Sequence, residues 1–334
     1  MRSGRGWVVV RCGVYVAVAG YAMSLLVRMP GESWRRPLPP LTEVHAALAE
    51  ALHRDVTYLA GELGPRHVWR PEYLAAARSF ISAALSNAGL MVAHYDYVVV
   101  SVTCTIIEAT LLGHRRPEEI VVVGAHYDTI EGTPGADDNA SGVAALLALG
   151  RLLASHQPAR TIRFVAFPNE EPPFFQTREM GSRVYAALCR GRGDRIQAML
   201  ALEMLGYYSE KEGSQGFPPL LGPFLRPWYP SRGNFVGFVS NLRSLWLLRR
   251  VVGTFRRAAE MPAEGAVLPT VLSGLSDNWS FWQEGYPAVM VTDTAMFRNP
   301  HYHLASDLPE TLDYERMARV VGGLEVVVRA LANE

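Results

Sequence analysis

The chain has 334 residues, of which 49% are hydrophobic, and its 32 basic and 32 acidic residues give a formal net charge of zero. This length holds one large α/β domain or two small ones, with a sizeable core. No basic tract stands out, so nucleic acid is excluded as an expected partner.

The three cysteines, Cys12, Cys104 and Cys189, form no C-x-x-C pair, which argues against a cysteine-based zinc site. A disulfide between Cys104 and Cys189 would require an oxidising compartment. Two separate buried thiols are the preferred interpretation. The sequence leaves the disulfide open.

The N-terminus has the pattern of a targeting segment. Arg2 and Arg5 precede an apolar stretch at residues 7–27 that only Arg11 interrupts. This pattern predicts a signal peptide or an N-terminal membrane anchor over residues 1–28, with membrane attachment through the apolar stretch. The rest of the chain would then lie outside the cytoplasm, in a secreted, periplasmic or membrane-anchored protein. A buried first helix is the alternative.

Residues 29–41 are rich in proline and are predicted to form a linker, so that residues 42–334 make up the folded domain. Segments with helical spacing of apolar residues then alternate with short β-branched runs. Helices are predicted at residues 42–62, 71–88, 142–155, 181–189, 242–259 and 314–331, and strands at residues 95–102, 105–112, 120–123, 161–167, 198–202, 235–240 and 287–292. Residues 207–234 are predicted to be a long functional loop.

Alternation of strands and helices predicts an α/β fold, with a central, mostly parallel mixed sheet covered by helices on both faces. Three predicted strands run into imidazole or acidic side chains, at His126, at Glu170 with Glu171, and at Glu203. Ligands of open α/β sheets bind at the carboxyl ends of the strands. Imidazole and carboxylate groups concentrated there predict a metal site.

Six short motifs follow one another along this framework. They are HYD at 126–128, GADDNASG at 135–142, NEE at 169–171, LEM at 202–204, SDNWSFW at 276–282 and YHLASD at 302–307. In this order they resemble the motifs of peptidase family M28, the co-catalytic zinc aminopeptidases and their relatives. The resemblance runs from about residue 45 to the C-terminus, and it implies a single domain of the zinc-exopeptidase type.

The resemblance implies a site for two zinc ions per chain. His126 would bind one ion and His303 the other, and Asp138 would bridge both. Glu171 and Glu203 would each complete the coordination of one ion. Zinc accepts imidazole nitrogen and carboxylate oxygen, so these residue types suit the metal.

The same resemblance assigns roles in catalysis and support. Glu170 would be the general base on the water between the ions, and would pass its proton to the leaving amine. Asp128 would sit behind His126 and fix its ring. Asp138 is preferred to Asp137 as the bridge because family members carry the ligand at that step, often followed by a cis peptide bond. Asp137 would then cap the following helix.

The sequence departs from the family at several positions. Many relatives have aspartate where Glu203 stands, and many have histidine where Asn278 stands. Asp277 is interpreted either as a hydrogen-bonding support for the site or as a helix cap. His301 is expected on a loop surface rather than among the ligands.

These features together imply a zinc-dependent exopeptidase acting on peptides, in the first place an aminopeptidase. One alternative is an acyltransferase resembling glutaminyl cyclases, which use one zinc on the same scaffold. The other is a receptor-like binding module without catalysis, against which the full set of ligand and base residues argues. The preferred substrate side chain and the oligomeric state stay open.

Overall fold

The structure is a computed structural model, and it describes residues 27–333. The predicted targeting segment, except for its last residues, and Cys12 lie outside the described residues. Eight strands form one sheet. They are β1 (Met91–Val99), β2 (Val102–Leu111), β3 (Arg116–His126), β4 (Arg160–Phe167), β5 (Arg195–Glu203), β6 (Val236–Ser240), β7 (Ala263–Val267) and β8 (Ala288–Thr292).

The strand order is β1-β2-β4-β3-β5-β8-β6-β7. Strands β4, β3, β5 and β8 pair in parallel, so their carboxyl ends meet at one edge. Strand β1 is antiparallel to β2, and β2 is antiparallel to β4. On the other side of the sheet, β6 is antiparallel to β8, and β7 is parallel to β6. The predicted mostly parallel mixed sheet is therefore confirmed.

Helices cover both faces of this sheet. Within residues 27–333 they are α1 (Glu43–Val56), α2 (Pro71–Asn87), α3 (Gly142–Leu153), α4 (Gly181–Arg192), α5 (Gly222–Leu225), α6 (Leu245–Ala258), α7 (Thr270–Ser273), α8 (Asn278–Gln283) and α9 (Tyr314–Asn333). One core contains α3 with residues of α1, α6 and α9, and a second, smaller core contains residues of α4 and α8. Helix α3 is apolar around most of its circumference because it lies between the sheet and three other helices, α1, α2 and α9.

The two cores also decide the state of the thiols. Cys104 is grouped with the larger core and Cys189 with the smaller one. Both are free and buried. The preferred interpretation of two separate thiols is confirmed, and the two sulfur atoms have different partners, Asn169 Nδ2 for Cys104 and Arg192 Nη2 for Cys189.

The first hairpin differs from its prediction. Strand β1 ends at Val99 and β2 begins at Val102, so the turn falls at Val100 and Ser101 rather than three residues later, at 103 and 104. Both turn residues have positive φ values, 44° and 67°. A two-residue turn of this kind usually carries glycine or asparagine, so its sequence gave no turn signal. Strand β7 was also not predicted.

The proline-rich segment lies against the domain. Ser33 Oγ accepts a hydrogen bond from Ala263 N at 3.0 Å, and Met29 is buried. Arg256 donates to the main-chain oxygens of Met29 and Gly31. In the described part of the chain, no helix combines the length and the apolar character that a membrane crossing requires.

Candidate metal centre

The five predicted ligands meet at the carboxyl edge of the sheet. His126 is the last residue of β3 and Glu203 the last residue of β5, and Glu171 lies just beyond β4. Asp138 lies in an irregular helical turn, Ala136–Ser141, that leads into α3, and His303 lies in the loop after β8. Because β4, β3 and β5 are neighbours in the sheet, their ends bring these residues together.

The ligands form two groups that share one aspartate. In the first group, His126 Nε2 lies 3.3 Å from Asp138 Oδ1 and 3.3 Å from Glu203 Oε2. In the second, His303 Nε2 lies 3.1 Å from Asp138 Oδ2 and 3.3 Å from Glu171 Oε2. Each carboxylate oxygen of Asp138 therefore belongs to one group, which is the arrangement expected of a bridging ligand.

Hydrogen bonding within the protein leaves the inner atoms of these groups unsatisfied. His126 Nε2, Asp138 Oδ1, Glu171 Oε1 and His303 Nε2 are all buried and have no hydrogen-bond partner. Such atoms cost about 1–3 kcal/mol each when nothing compensates them. Imidazole nitrogen and carboxylate oxygen are the donors that zinc takes, so the residues present fit that metal.

The carboxylates also concentrate negative charge at this edge. Burial by itself lowers the pKa of a histidine, but Glu203 and Glu170 raise the pKa of His126 well above its ordinary value. The adjacent carboxylates of Asp138 and Glu171 likewise outweigh burial and raise the pKa of His303 to about 10. A field that favours protonated imidazoles favours metal cations as well.

The turn that carries Asp138 depends on two neighbours. Gly135 has a φ of 65°, and a side chain there would collide with the main-chain oxygen of Asp138. The Asp138–Asn139 peptide bond is cis, as the resemblance implies. Asn139 accepts hydrogen bonds from Gly142 N and Met204 N, both at 3.1 Å. Asn139 thereby caps α3 and joins the turn to the end of β5.

Asp137 is fully buried and does not cap the helix. Its Oδ1 accepts from Gly206 N at 2.8 Å and its Oδ2 from Asn299 Nδ2 at 2.6 Å. Because both oxygens bind distant loops, the expected capping role of Asp137 is wrong.

Asp128 lies behind His126, but its side chain has another partner. The main-chain oxygen of Asp128 is 3.2 Å from His126 Nδ1, whereas its Oδ1 is 3.6 Å away. The carboxylate instead accepts hydrogen bonds from Glu170 N at 3.0 Å and Glu171 N at 3.1 Å. Asp128 therefore holds the backbone that carries both glutamates, as well as contacting the ring.

Asp307 performs the same task for the bridging aspartate. Its two oxygens accept from Asp137 N at 2.9 Å and Asp138 N at 3.1 Å. This role was missed from the sequence. The signal available was the position of Asp307 at the end of the motif that contains His303.

Arg66 is a third support that the sequence reasoning missed. Its side chain is fully buried, and burial lowers its pKa to about 10, so it is charged at neutral pH. Its guanidinium donates to five main-chain oxygens, those of Leu59, Gly64, Tyr127, Pro134 and Gly135, at 2.6–3.1 Å. Arg66 therefore joins the strand end beyond His126 to the turn before Asp138.

The remaining candidates lie around the two groups. Glu170 is buried but belongs to neither group, and burial together with nearby carboxylates raises its pKa well above the ordinary value. Asp277 is fully buried and makes no capping hydrogen bond, so its interpretation as a helix cap is wrong.

Ser276, which the sequence did not suggest, donates to Glu203 Oε2 at 2.6 Å. His301 is half-buried, contacts Ser306 and lies outside both groups.

An apolar cavity of about 110 Å³ adjoins Glu203. Its volume is of the same order as the ~150 Å³ apolar cavity that holds one benzene molecule. Part of its wall comes from residues 207–234, the predicted functional loop. Apolar side chains that line it include Phe217, Leu225, Phe238, Leu272, Met290 and Phe297.

The sheet and the histidine–carboxylate groups at its carboxyl edge define an α/β metallohydrolase. More narrowly, the chain belongs to peptidase family M28, whose sequence model matches residues 107–326. The resemblance seen in the motifs is thereby confirmed. Membership makes the chain a metallopeptidase, a hydrolase, and the donor set supports zinc as its metal.

Individual relatives are similar to this chain over most of its length. The Escherichia coli (strain K12) protein YfbL is 35% identical over 303 residues, which cover 88% of this chain and 91% of YfbL. Leucine aminopeptidase 1 of Trichophyton equinum is 30% identical over 313 residues, covering 88% of this chain and 72% of the relative.

Two solved structures illustrate the likeness of fold. BSAP, a zinc aminopeptidase from Bacillus subtilis, has a TM-score of 0.68 at 15% identity, over 90% of this chain and 97% of that one. A glutaminyl cyclase from Fimbriiglobus ruber has a TM-score of 0.62 at 19% identity, over 89% and 97%. At these identities the two comparisons bear on the fold alone.

Proposed function

We propose that the chain is an aminopeptidase that uses two zinc ions to remove an apolar residue from the N-terminus of a peptide. The observation that carries this proposal is the pair of ligand groups joined by Asp138, with an apolar cavity beside Glu203. His126, Asp138 and Glu203 would hold one ion, and His303, Asp138 and Glu171 the other.

When bound, the zinc ions polarise the scissile carbonyl and acidify the attacking water. Glu170 takes the proton of that water and gives it to the leaving amine as the C–N bond breaks. Its raised pKa suits a group that must both accept and release a proton. Asp128 fixes Glu170 and Glu171 in their separate tasks, because it binds both of their backbone N–H groups.

The cavity supports the choice of substrate. Its volume and apolar lining suit one uncharged side chain, and the loop at residues 207–234 helps to close it. The relative from Trichophyton equinum is named a leucine aminopeptidase, which is consistent with an apolar residue. A cyclase acting on N-terminal glutamine is the competing candidate, favoured only by a likeness of fold.

Glu170 and Glu171 provide a matched pair for the test, because the same substitution in each has a different expected effect. Glu170→Gln should keep its zinc and lose on the order of 10²–10⁴ in rate, the usual scale for general acid–base catalysis. Glu171→Gln should lose zinc, since a neutral amide is a poor ligand. Zinc content and turnover of a leucine anilide, measured on the same samples, decide between these outcomes. Reversed results would show that the two roles are interchanged.

Substrate panels test the reaction itself. Leucine and phenylalanine anilides should be cleaved, N-acetyl-leucine anilide should not, and lysine and glutamate anilides should be poor substrates. Cyclisation of a glutamine peptide in preference to hydrolysis of the leucine anilide would replace the proposal with the cyclase alternative. Equal cleavage of the acetylated substrate would contradict an exopeptidase.

A further inference from the structure

A basic and apolar surface surrounds the start of α6, and it is called the α6 face below. Leu242 is 64% exposed and Trp246 is 73% exposed. Leu242 belongs to the short 3-10 turn that leads into the helix, and Trp246 belongs to the first turn of the helix. Arg243 between them is exposed as well. Large exposed apolar side chains beside basic ones are typical of surfaces that meet a lipid interface.

The N-terminal segment runs along α6 towards this face. The main-chain oxygen of Gly31 accepts a hydrogen bond from Arg256 Nη1 at 3.1 Å, and Pro30 packs against Gly253. The main-chain oxygen of Arg28 accepts a hydrogen bond from Arg249 Nη1 at 2.7 Å. Going towards the N-terminus, the chain therefore approaches the start of the helix. Arg249 is one turn from Trp246. The described part of the chain therefore begins close to the α6 face, and the apolar stretch at residues 7–27 comes next in the sequence.

The α6 face lies at the edge of the sheet opposite the metal centre. Ser244 Oγ accepts a hydrogen bond from Ala288 N at 3.2 Å, and Ala288 is the first residue of β8. Strand β8 is parallel to β5, whose last residue is Glu203. A membrane on the α6 face would therefore leave the metal centre and its cavity open to dissolved peptides.

The charges at this face are mostly positive. Arg28 and Arg243 are exposed, and Arg249, on the helix, donates a hydrogen bond to the main-chain oxygen of Arg28. Glu284, which follows α8 at this edge, forms an ion pair with Arg183 at 2.5 Å. Tryptophan concentrates at the membrane–water interface, and arginine near the surface is attracted by anionic headgroups.

We propose that the α6 face rests on an anionic lipid surface, where the apolar residues 7–27 attach the chain to the membrane. The proposal does not depend on the substrate or on the reaction. It predicts one orientation of the domain, with the catalytic edge of the sheet turned away from the bilayer.

The test compares Trp246 with a second exposed apolar residue. Phe224 is 72% exposed and belongs to the loop that helps to line the cavity, on α5. Full-length chains carrying Trp246→Cys or Phe224→Cys, with Cys12→Ser in both, are labelled with an environment-sensitive fluorophore. The two remaining cysteines are buried. The chains are then reconstituted into vesicles of phosphatidylcholine and phosphatidylglycerol.

A nitroxide on the lipid headgroup should quench the label at position 246, and aqueous iodide should quench the label at position 224. The reverse pattern, or equal access of iodide to both labels, overturns the proposal, as does a full-length chain that stays in the aqueous phase. Arg243→Glu should lower lipid quenching at position 246 by about half in anionic vesicles and leave neutral vesicles unaffected. Anilide hydrolysis by this variant in detergent should match the parent, which shows that the domain is intact.

Discussion

Replacing Asp128 with asparagine tests whether the backbone clamp positions the two glutamates. The carboxylate is 2% exposed and accepts from Glu170 N at 3.0 Å and from Glu171 N at 3.1 Å. Asparagine has nearly the same shape, but it keeps one acceptor oxygen and turns an NH₂ group towards the other backbone N–H. One hydrogen bond to a charged group, about 1.5–3 kcal/mol, is therefore lost.

The size of the effect depends on where this free energy appears. About 1.4 kcal/mol corresponds to a factor of ten in an equilibrium constant. If the loss falls on the positions of Glu170 and Glu171, zinc affinity or kcat/KM should fall by about 10- to 100-fold, as for other residues that support metal ligands. If the lost free energy affects folding alone, thermal stability should fall while zinc affinity and kcat/KM stay unchanged.

Asp55→Asn is the matched control. Asp55 is also a buried aspartate, 7% exposed, and its carboxylate pairs with Arg151 at 2.6 Å outside the metal centre. Zinc affinity from chelator competition, anilide kinetics and thermal unfolding of the metal-free protein are measured for both variants. Asp128→Asn should differ from Asp55→Asn in the first two measurements. If Asp128→Asn loses as much stability as Asp55→Asn but keeps wild-type zinc affinity and turnover, the claim that Asp128 positions the two glutamates is refuted.

Further predictions concern the other supports and the cavity. Asp307→Asn should weaken zinc binding about 10- to 100-fold, because it holds the backbone of Asp138, and a chelator titration with unchanged affinity would contradict this. Arg66→Met should cost more than about 3 kcal/mol of unfolding free energy in urea, since it leaves buried carbonyls unpaired, and Arg66→Lys should rescue only part of it. Met290→Asp in the cavity wall should lower kcat/KM for leucine anilide relative to lysine anilide. If the ratio of the two kcat/KM values is unchanged, the cavity does not bind the substrate side chain.

The sequence by itself determined the sheet class, the polar carboxyl ends of the central parallel strands and the residues that gather there. Apolar runs mark parallel strands because such strands are buried on both faces, and Val121 and Val123 in β3 are fully buried. Polar residues directly after such runs must lie at one edge, since parallel strands end on the same side. His126 and Asp128 are two positions apart, so their proximity was also evident.

Only the tertiary structure decided what the supporting side chains contact. Asp307 and Asp137 are 170 positions apart, and Asp128 and Glu170 are 42 positions apart. No local pattern encodes such hydrogen bonds, because they depend on how separate loops meet over the sheet. The same holds for the cavity, whose wall combines the long loop with β6, β7 and β8, and for the N-terminal segment on α6. Local periodicity therefore identified the reactive residues, whereas long-range packing set their orientation and their surroundings.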